Sequence, residues 1–257
     1  MRKLPFFAIL WVVFLLPVSA KADSMSVNAA AQRLSKMVWY SEEYPPYNFK
    51  KDGVAAGMSV DILMAAFRRV GVKVTPKDIR IVPWNRSYKY IQKKPGTALF
   101  SMTYTPERRK IMKFVGPAVS VRVSIIAPKK ADLGKITADS LSEFDIGVVR
   151  DDIGDQLIRK FPLSSESIHR KNSLKQLFYL LRSGRVDVVA YAADVFSHAV
   201  RNAGDDPADY VELMVLKEGK MGYAFHNSTD PDVLAPLQKA VDELWADGTI
   251  AKIISAY

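Results

Sequence analysis

Apolar and polar positions follow two different periods along this chain, and the two periods alternate from one segment to the next. Residues 60–70 repeat apolar side chains at helical spacing, and Gly71 supplies a helix stop. Residues 119–127 alternate apolar with polar side chains, as a strand with one buried face does. Shorter apolar runs at 97–103 and 146–149 are typical of buried strands. This succession of strands and helices predicts an α/β fold.

The predicted elements fall into two α/β groups. Strands are predicted at 36–40, 79–83, 97–103, 119–127, 146–149, 186–191, 212–216 and 222–225, and helices at 60–70, 85–93, 155–161, 174–182, 194–202, 231–246 and 249–256. Strand-like connections join the groups, and the chain returns to the first group at its end. Such an arrangement predicts two lobes with a cleft between them.

The first 22 residues have the composition of a secretory signal peptide. Two basic residues precede an apolar run over 5–17, which is too short to span a bilayer, and small residues follow. Cleavage is expected after Ala20 or Ala22, with Ala22 preferred. The chain has no cysteine, hence no lipoprotein acylation site and no disulfide. These features predict an exported, unanchored protein of the Gram-negative periplasm.

The charge of the chain restricts its partners. The net charge is +10, and removal of residues 1–22 lowers it to +7 because three basic residues and no acids are lost. The basic residues are dispersed and form no long run, so nucleic acid is not the expected partner. A positive field instead favours the approach of small anionic ligands.

The segment 101–108 reads Ser-Met-Thr-Tyr-Thr-Pro-Glu-Arg and carries the most specific chemistry. Arg108 can hold a carboxylate through two parallel N–H···O bonds, which is stronger and more directional than a lysine contact. Ser101 and Thr103 lie two apart on a predicted strand and point to the same side, so they can add hydroxyl donors. The segment therefore predicts a receptor for an acidic group. The alternative for the segment is a helix start with solvated charges, and the alternative for Arg108 is a structural ion pair.

Several short segments, in a fixed order, resemble the extracytoplasmic solute-binding proteins of family 3, the receptors of polar amino acid uptake transporters. The segments are Glu43–Phe49, Gly53, Gly57–Asp61, Ser101–Arg108, Ile146–Val149, Ser183–Asp187, Ala246–Thr249 and the terminal Tyr257. The resemblance implies a two-lobe periplasmic-binding-protein fold of type II, with a hinge between the lobes and the ligand in the cleft. It also implies a monomer that closes around a small-molecule ligand and docks on the membrane permease of an ABC transporter.

The lobe boundaries and hinge also follow from the resemblance. Lobe 1 would comprise 33–121 plus 222–257, and lobe 2 would comprise 122–221. The hinge strands would lie at 119–125 and near 220–223.

The resemblance also assigns site residues. Arg108 would bind the α-carboxylate of the ligand, with Ser101 and Thr103 in support. Tyr44 would line the cleft, against the alternative that it packs a proline-rich loop. Trp84 would stack on the ligand, against the alternative of core packing. Arg86 is either a second anion contact or a solvated helix charge.

Two departures from the family pattern concern lobe 2. Arg150, Asp151 and Asp152 stand where the family usually places a glycine and small hydroxyl residues, and Ala192 stands where amino acid binders often carry an aspartate for the ligand ammonium. One hypothesis is that Asp151 or Asp152 binds the ligand ammonium group in place of that aspartate, while Arg150 binds another acidic group. The other is that the ligand is not an α-amino acid. Asp194 lies nearby but out of register.

No catalytic, metal or cofactor site is expected. The three histidines have no metal-ligand spacing, and thiol chemistry is excluded without cysteine. The function predicted from sequence is therefore that of a periplasmic substrate-binding protein for a small carboxylate-bearing polar solute, most simply an amino acid or a relative. The alternatives are a stand-alone periplasmic sensor domain and a dehydratase-type enzyme on the same fold.

Overall fold

A computed structural model describes residues 25–257, and the predicted signal peptide lies outside them. The strands are β1 (Val38–Ser41), β2 (Phe49–Lys51), β3 (Val54–Ala56), β4 (Arg80–Ile81), β5 (Thr97–Thr103), β6 (Met112–Pro128), β7 (Ile146–Val149), β8 (Ile168–Lys171), β9 (Val188–Ala192) and β10 (Tyr210–His226). The helices are α1 (Val27–Ser35), α2 (Met58–Val70), α3 (Trp84–Lys93), α4 (Pro106–Ile111), α5 (Ile153–Ile158), α6 (Leu174–Arg182), α7 (Ala193–Asn202), α8 (Pro231–Ala246) and α9 (Thr249–Ile254). Within these residues no helix has the length and apolar character needed to cross a membrane.

Eight strands form one mixed sheet in the order β4-β1-β5-β10-β6-β9-β7-β8, and β2 and β3 form a separate hairpin. At one side β1 pairs in parallel with β4 and β5, and at the other β7 pairs in parallel with β8 and β9. The antiparallel pair β6–β10 lies between them. We call the unit built on β4, β1 and β5 the first lobe, and the unit built on β9, β7 and β8 the second lobe.

The pair β6–β10 belongs to both lobes, because each strand is 17 residues long. β5 pairs with residues 221–225 of β10, whereas β9 pairs with residues 123–126 of β6. Between these contacts, residues 120–122 of β6 pair with residues 218–220 of β10, and the described sheet adds no third strand there. The lobes are thus joined by a two-stranded ribbon at this point.

Most predicted elements are confirmed, but the strands predicted at 212–216 and 222–225 are one continuous strand. The charged residues Lys217, Glu218 and Lys220 interrupt the apolar alternation, so the sequence pattern predicts two separate strands. The backbone of β10 nevertheless remains paired with β6 through them, because hydrogen bonding in a ribbon does not require apolar side chains. Helix α1, the β2–β3 hairpin and strand β8 were not predicted.

Helix ends follow the signals in the sequence. Gly71 ends α2 in the left-handed conformation, with φ of 85°, which glycine adopts without a steric penalty. The hydroxyl of Ser173 accepts a hydrogen bond from the backbone N–H of Gln176 and so caps α6. Pro231 stands in the first turn of α8, after the capping carboxylate of Asp230.

Gly222 of β10 lies in close contact with Val115 of β6 and with Tyr104, which follows β5. A Cβ at this position would lie 2.5 Å from the carbonyl oxygen of Val115 and nearer still to the hydroxyl of Tyr104. We expect Gly222→Ala to lower the free energy of unfolding by about 1–3 kcal/mol, because backbone atoms cannot move aside cheaply. Thermal unfolding should show the loss.

Gly219→Ala is the matched control on the same strand. There a Cβ would meet only the flexible end of the Lys217 side chain, at 3.2 Å. Equal stability of the two variants would contradict this account of the strand packing.

Candidate functional site

The site begins at the carboxyl ends of the parallel strands, where β1 and β5 end in the first lobe and β7 ends in the second. After β5, Thr105 accepts a hydrogen bond from the N–H of Arg108 at 3.1 Å, and Pro106 opens α4. The turn is therefore a capped helix start, as one sequence interpretation held. The cap fixes the backbone of Arg108 and directs its side chain to the interior.

The guanidinium of Arg108 is buried, with 1% of the residue exposed. Its Nη1 donates to the backbone carbonyl of Thr103 at 3.2 Å, and its Cζ lies 5.2 Å and 5.5 Å from the ring centroids of Trp84 and Tyr88. Nε and Nη2 are buried and have no hydrogen-bond partner among the described residues. These two nitrogens form one edge of the guanidinium, which is the edge that a carboxylate can bind through two parallel bonds.

Two buried carboxyl groups share this region with Arg108. Asp152 of the second lobe is 4% exposed, and its Oδ2 has no hydrogen-bond partner among residues 25–257. Glu42, which follows β1, is also buried. In the part of the chain that the structure describes, neither carboxyl forms an ion pair within 4 Å of Arg108. Charged groups without partners are costly to bury, which is typical of a binding site rather than of a structural core.

The titration of both carboxyl groups reflects this burial. Burial raises the pKa of Asp152 to about 6, against the lowering effect of Arg108. Burial and the neighbouring Asp152 also raise the pKa of Glu42 well above its usual range, again against Arg108. The cluster thus has an excess of acid over base, and a cationic group would find favourable partners in it.

Aromatic side chains enclose the charged cluster. Tyr44 is buried, with its ring centroid 5.7 Å from that of Tyr47 and 5.8 Å from that of Tyr191 in the second lobe. Burial, together with Asp152 and Glu42, raises the pKa of Tyr44 well above its usual range. Trp84 is buried, stacks on Tyr88, and leaves its indole Nε1 without a partner among the described residues.

Ser101 and Thr103, the two hydroxyl residues predicted to act together on β5, make different contacts. The Ser101 hydroxyl is 2.5 Å from Oδ1 of Asn48 and 2.8 Å from Oγ of Ser59, so it ties β5 to the loop before β2 and to α2. Thr103 is buried, and its backbone carbonyl is the acceptor for Arg108. Thr103 therefore holds Arg108 through its backbone carbonyl, whereas Ser101 holds β5 against its neighbours; their role toward a ligand stays a prediction.

Of the three successive residues predicted to close the site from the second lobe, only Asp152 is buried, so that burial raises its pKa while the charge of Arg108 lowers it. Arg150 is exposed. Asp151 has φ of 60°, a left-handed conformation, and its carboxylate is paired at 3.1 Å with Arg159. The change of backbone direction at Asp151 separates the two neighbouring carboxylates.

The other residues weighed near the cleft lie as follows. Arg86 is exposed on α3. Ala192 is buried at the start of α7. Asp194 accepts a hydrogen bond from the Tyr47 hydroxyl at 3.1 Å, a contact between the lobes.

Glu42 and Tyr191 were not predicted as site residues. A usable signal existed for Glu42, because it directly follows a strand parallel to β5 and the carboxyl ends of parallel strands meet at one edge. Tyr191 lies within the apolar run of β9 and carries no comparable signal. Among the described residues, no group of three or more His, Asp or Glu side chains is arranged to hold a metal ion.

A cavity of about 890 Å³ adjoins the charged cluster between the lobes. Glu42, Trp84 and Tyr191 line its inner end. The cavity continues from there between the loop that follows β4 and helices α6 and α7.

Comparisons with known proteins agree on the type of protein. The family of bacterial extracellular solute-binding proteins, family 3, matches residues 37–257. The L-cystine-binding protein TcyJ of Escherichia coli K12 is 23% identical over 236 residues, which cover 91% of this chain and 86% of that protein.

Solved structures share the fold. A mutant of ArgBP from T. maritima superposes with a TM-score of 0.73 at 22% identity, covering 91% of this chain and 99% of that one. A histidine kinase sensor domain similar to periplasmic binding proteins gives a TM-score of 0.75 at 18% identity, covering 86% and 96%. The expected two-lobe fold is confirmed by these neighbours.

The raised pKa of Asp152 predicts a pH-dependent stability. Between pH 4 and 6 the native state holds the Asp152 proton more tightly than the unfolded chain does, so stability should fall as pH rises through this window. We expect Asp152→Asn to remove this part of the dependence and to stabilise the ligand-free protein at pH 7.5 by about 2–3 kcal/mol. Unfolding at pH 5 and pH 7.5 measures both effects.

Asp151→Asn is the control, because the Asp151 carboxylate is largely exposed and paired with Arg159. It should change stability by less than about 1 kcal/mol. A destabilised Asp152→Asn variant at pH 7.5 would show that Asp152 is a structural partner of Arg108.

Proposed function

Because this chain belongs to family 3 of the bacterial extracellular solute-binding proteins, we propose that its solute is an amino acid or a close relative bound between the lobes. In this proposal Arg108 holds the carboxylate of the solute and Asp152 holds its ammonium group. Glu42 reinforces the negative side of the site. The chain thereby serves an ABC-type uptake system as its extracytoplasmic receptor.

The observation that carries this proposal is the free edge of Arg108. Nε and Nη2 are buried, unpartnered among the described residues, and fixed in direction by the bond from Nη1 to Thr103. A carboxylate would satisfy both nitrogens at once, which is a stronger arrangement than two separate contacts. The buried Trp84 ring and the half-buried Tyr88 ring lie against the guanidinium and limit its movement.

Asp152 supplies the argument for an ammonium group. Its carboxylate is on the second lobe, and its Oδ2 is buried without a partner among the described residues. Since Asp151 is paired with Arg159, Asp152 is the better candidate of the two acids considered from the sequence. A ligand held by Arg108 on one lobe and Asp152 on the other would favour closure of the lobes. The L-cystine-binding relative supports an amino acid as the class of solute.

The other functional classes have less support. The matched family consists of solute-binding proteins and not of enzymes, in agreement with the expectation that the chain has no catalytic role. The likeness to a kinase sensor domain, at 18% identity, concerns the fold and does not favour signalling over uptake.

The proposed domain organisation keeps the lobe boundaries expected from the sequence, with 33–121 plus 222–257 in lobe 1 and 122–221 in lobe 2. The ribbon of 120–122 with 218–220 supports a hinge there. We add α1 to lobe 1, because Leu34 is buried and Arg33 pairs with Asp230 at 3.3 Å. We further propose a monomer, exported to the periplasm, cleaved after Ala22 and docking on a membrane permease.

The test of this function is the loss of binding in Arg108→Lys. Lysine keeps the positive charge but lacks the two-nitrogen edge, so we expect at least roughly 100-fold weaker binding of a carboxylate ligand. The protein should first be unfolded and refolded to remove carried-over ligand. A thermal-shift screen of amino acids and organic acids identifies a ligand, and calorimetry measures its affinity.

Arg109→Lys is the matched control on the same helical turn. Arg109 is exposed and lies over the Tyr104 ring, with Cζ 4.6 Å from its centroid. This variant should bind as the wild type does. Full affinity in a folded Arg108→Lys variant would refute the carboxylate assignment.

A further inference from the structure

The cavity beside the charged cluster is larger than the binding of a small polar solute requires. Its volume is about 890 Å³. Pockets of roughly 300–1,000 Å³ commonly enclose whole drug-sized ligands. Glu42 is the member of the charged cluster that lines the cavity, whereas Arg108 and Asp152 are buried and are not among its lining residues. The volume is thus distinct from the immediate surroundings of Arg108 and Asp152.

The lining of this cavity is mainly apolar and comes from both lobes. Apolar contributions are Ile81, Val82, Val149, Leu174, Phe178 and Ala199. We call the part of the cavity formed by these six apolar residues the apolar annex. The cavity is also lined by two exposed lysines, Lys50 on the first lobe and Lys175 on the second. A polar ligand would leave the apolar side chains of the annex with no compensating contact, whereas an apolar group would bury them.

The annex is continuous with the proposed ligand site. Glu42 and Tyr191 line the cavity, and both are close enough to Asp152 for their titration to be affected by it. Trp84 lines it too, and its ring also faces Arg108. A ligand whose head group lies at Arg108 and Asp152 would therefore enter the annex with its remaining atoms.

We propose that the annex receives a large apolar side chain of the solute, so that the receptor prefers bulky apolar amino acids over small polar ones. This inference rests on the proposed function, since the head group would be held by Arg108 and Asp152. The hydrophobic body would pack between the loop after β4 and helices α6 and α7. It would thus contact both lobes and add to the closure that the head group favours.

A homologous ligand series tests the inference with an unchanged head group. Affinities of L-alanine, L-leucine, L-phenylalanine and L-tryptophan should be measured by calorimetry on the refolded protein. We expect affinity to rise along the series, by roughly fourfold for each buried methylene equivalent. Equal affinities, or tighter binding of alanine, would overturn the inference.

Leu174→Trp gives a second test by narrowing the annex. Leu174 is half-buried at the start of α6, so the larger side chain should be accommodated in the folded protein. The variant should weaken L-tryptophan binding at least tenfold and leave L-alanine binding within about twofold. Tyr179→Trp, on the exposed face of the same helix, is the control and should change neither affinity. An equal effect of Leu174→Trp on both ligands would also overturn the inference.

Failure here is distinguishable from failure of the proposed function. If Arg108→Lys abolishes binding while affinity does not depend on the size of the amino acid side chain, the carboxylate assignment is supported and the annex assignment is wrong. If Arg108→Lys binds every ligand normally, the head-group assignment itself is wrong.

Discussion

The buried guanidinium of Arg108 is the constraint on which the rest of the site depends. A permanently charged group that is 1% exposed needs partners, because burial without them costs several kcal/mol. The protein supplies one carbonyl and two aromatic faces, and it leaves two nitrogens of one edge unpartnered among the described residues. The capped turn at Thr105 and the buried strand β5 fix this edge before any ligand arrives. Such preorganisation lowers the ordering cost of binding.

The second lobe completes the site only because the two lobes share long strands. β6 and β10 extend through both lobes and form the two-stranded ribbon between them, where we propose the hinge. Contacts across the cleft link the lobes, with Tyr47 donating to Asp194 and Lys160 paired with Glu107 at 3.2 Å. Asp152 is brought toward Arg108 by the same arrangement. The buried carboxyl groups of Asp152 and Glu42 thus destabilise the ligand-free protein, and a bound ligand with a cationic group would offset this cost.

Local patterns predicted much of the fold, whereas the detailed site depended on contacts distant in sequence. Residues 119–127 alternate clearly, and the strand is present within β6. The difference between the buried Asp152 and the paired Asp151 could not be predicted, because it follows from a left-handed backbone at Asp151 and from Arg159 eight residues away. The raised pKa of Glu42 depends in part on the second lobe, since the Asp152 carboxyl group approaches it across the cleft. Contacts between residues of different lobes cannot be predicted from a local sequence pattern.

The central claim is that Arg108 and Asp152 bind opposite ends of one zwitterionic head group. A coupling cycle measures this directly, with calorimetric affinities of an amino acid ligand and its desamino analogue for the wild type and for Asp152→Asn. The account predicts that losing the ammonium group weakens wild-type binding at least tenfold but has little effect in Asp152→Asn, a coupling of about 1.4 kcal/mol or more. Equal losses in both proteins would show that Asp152 does not contact the ammonium group and would contradict the account.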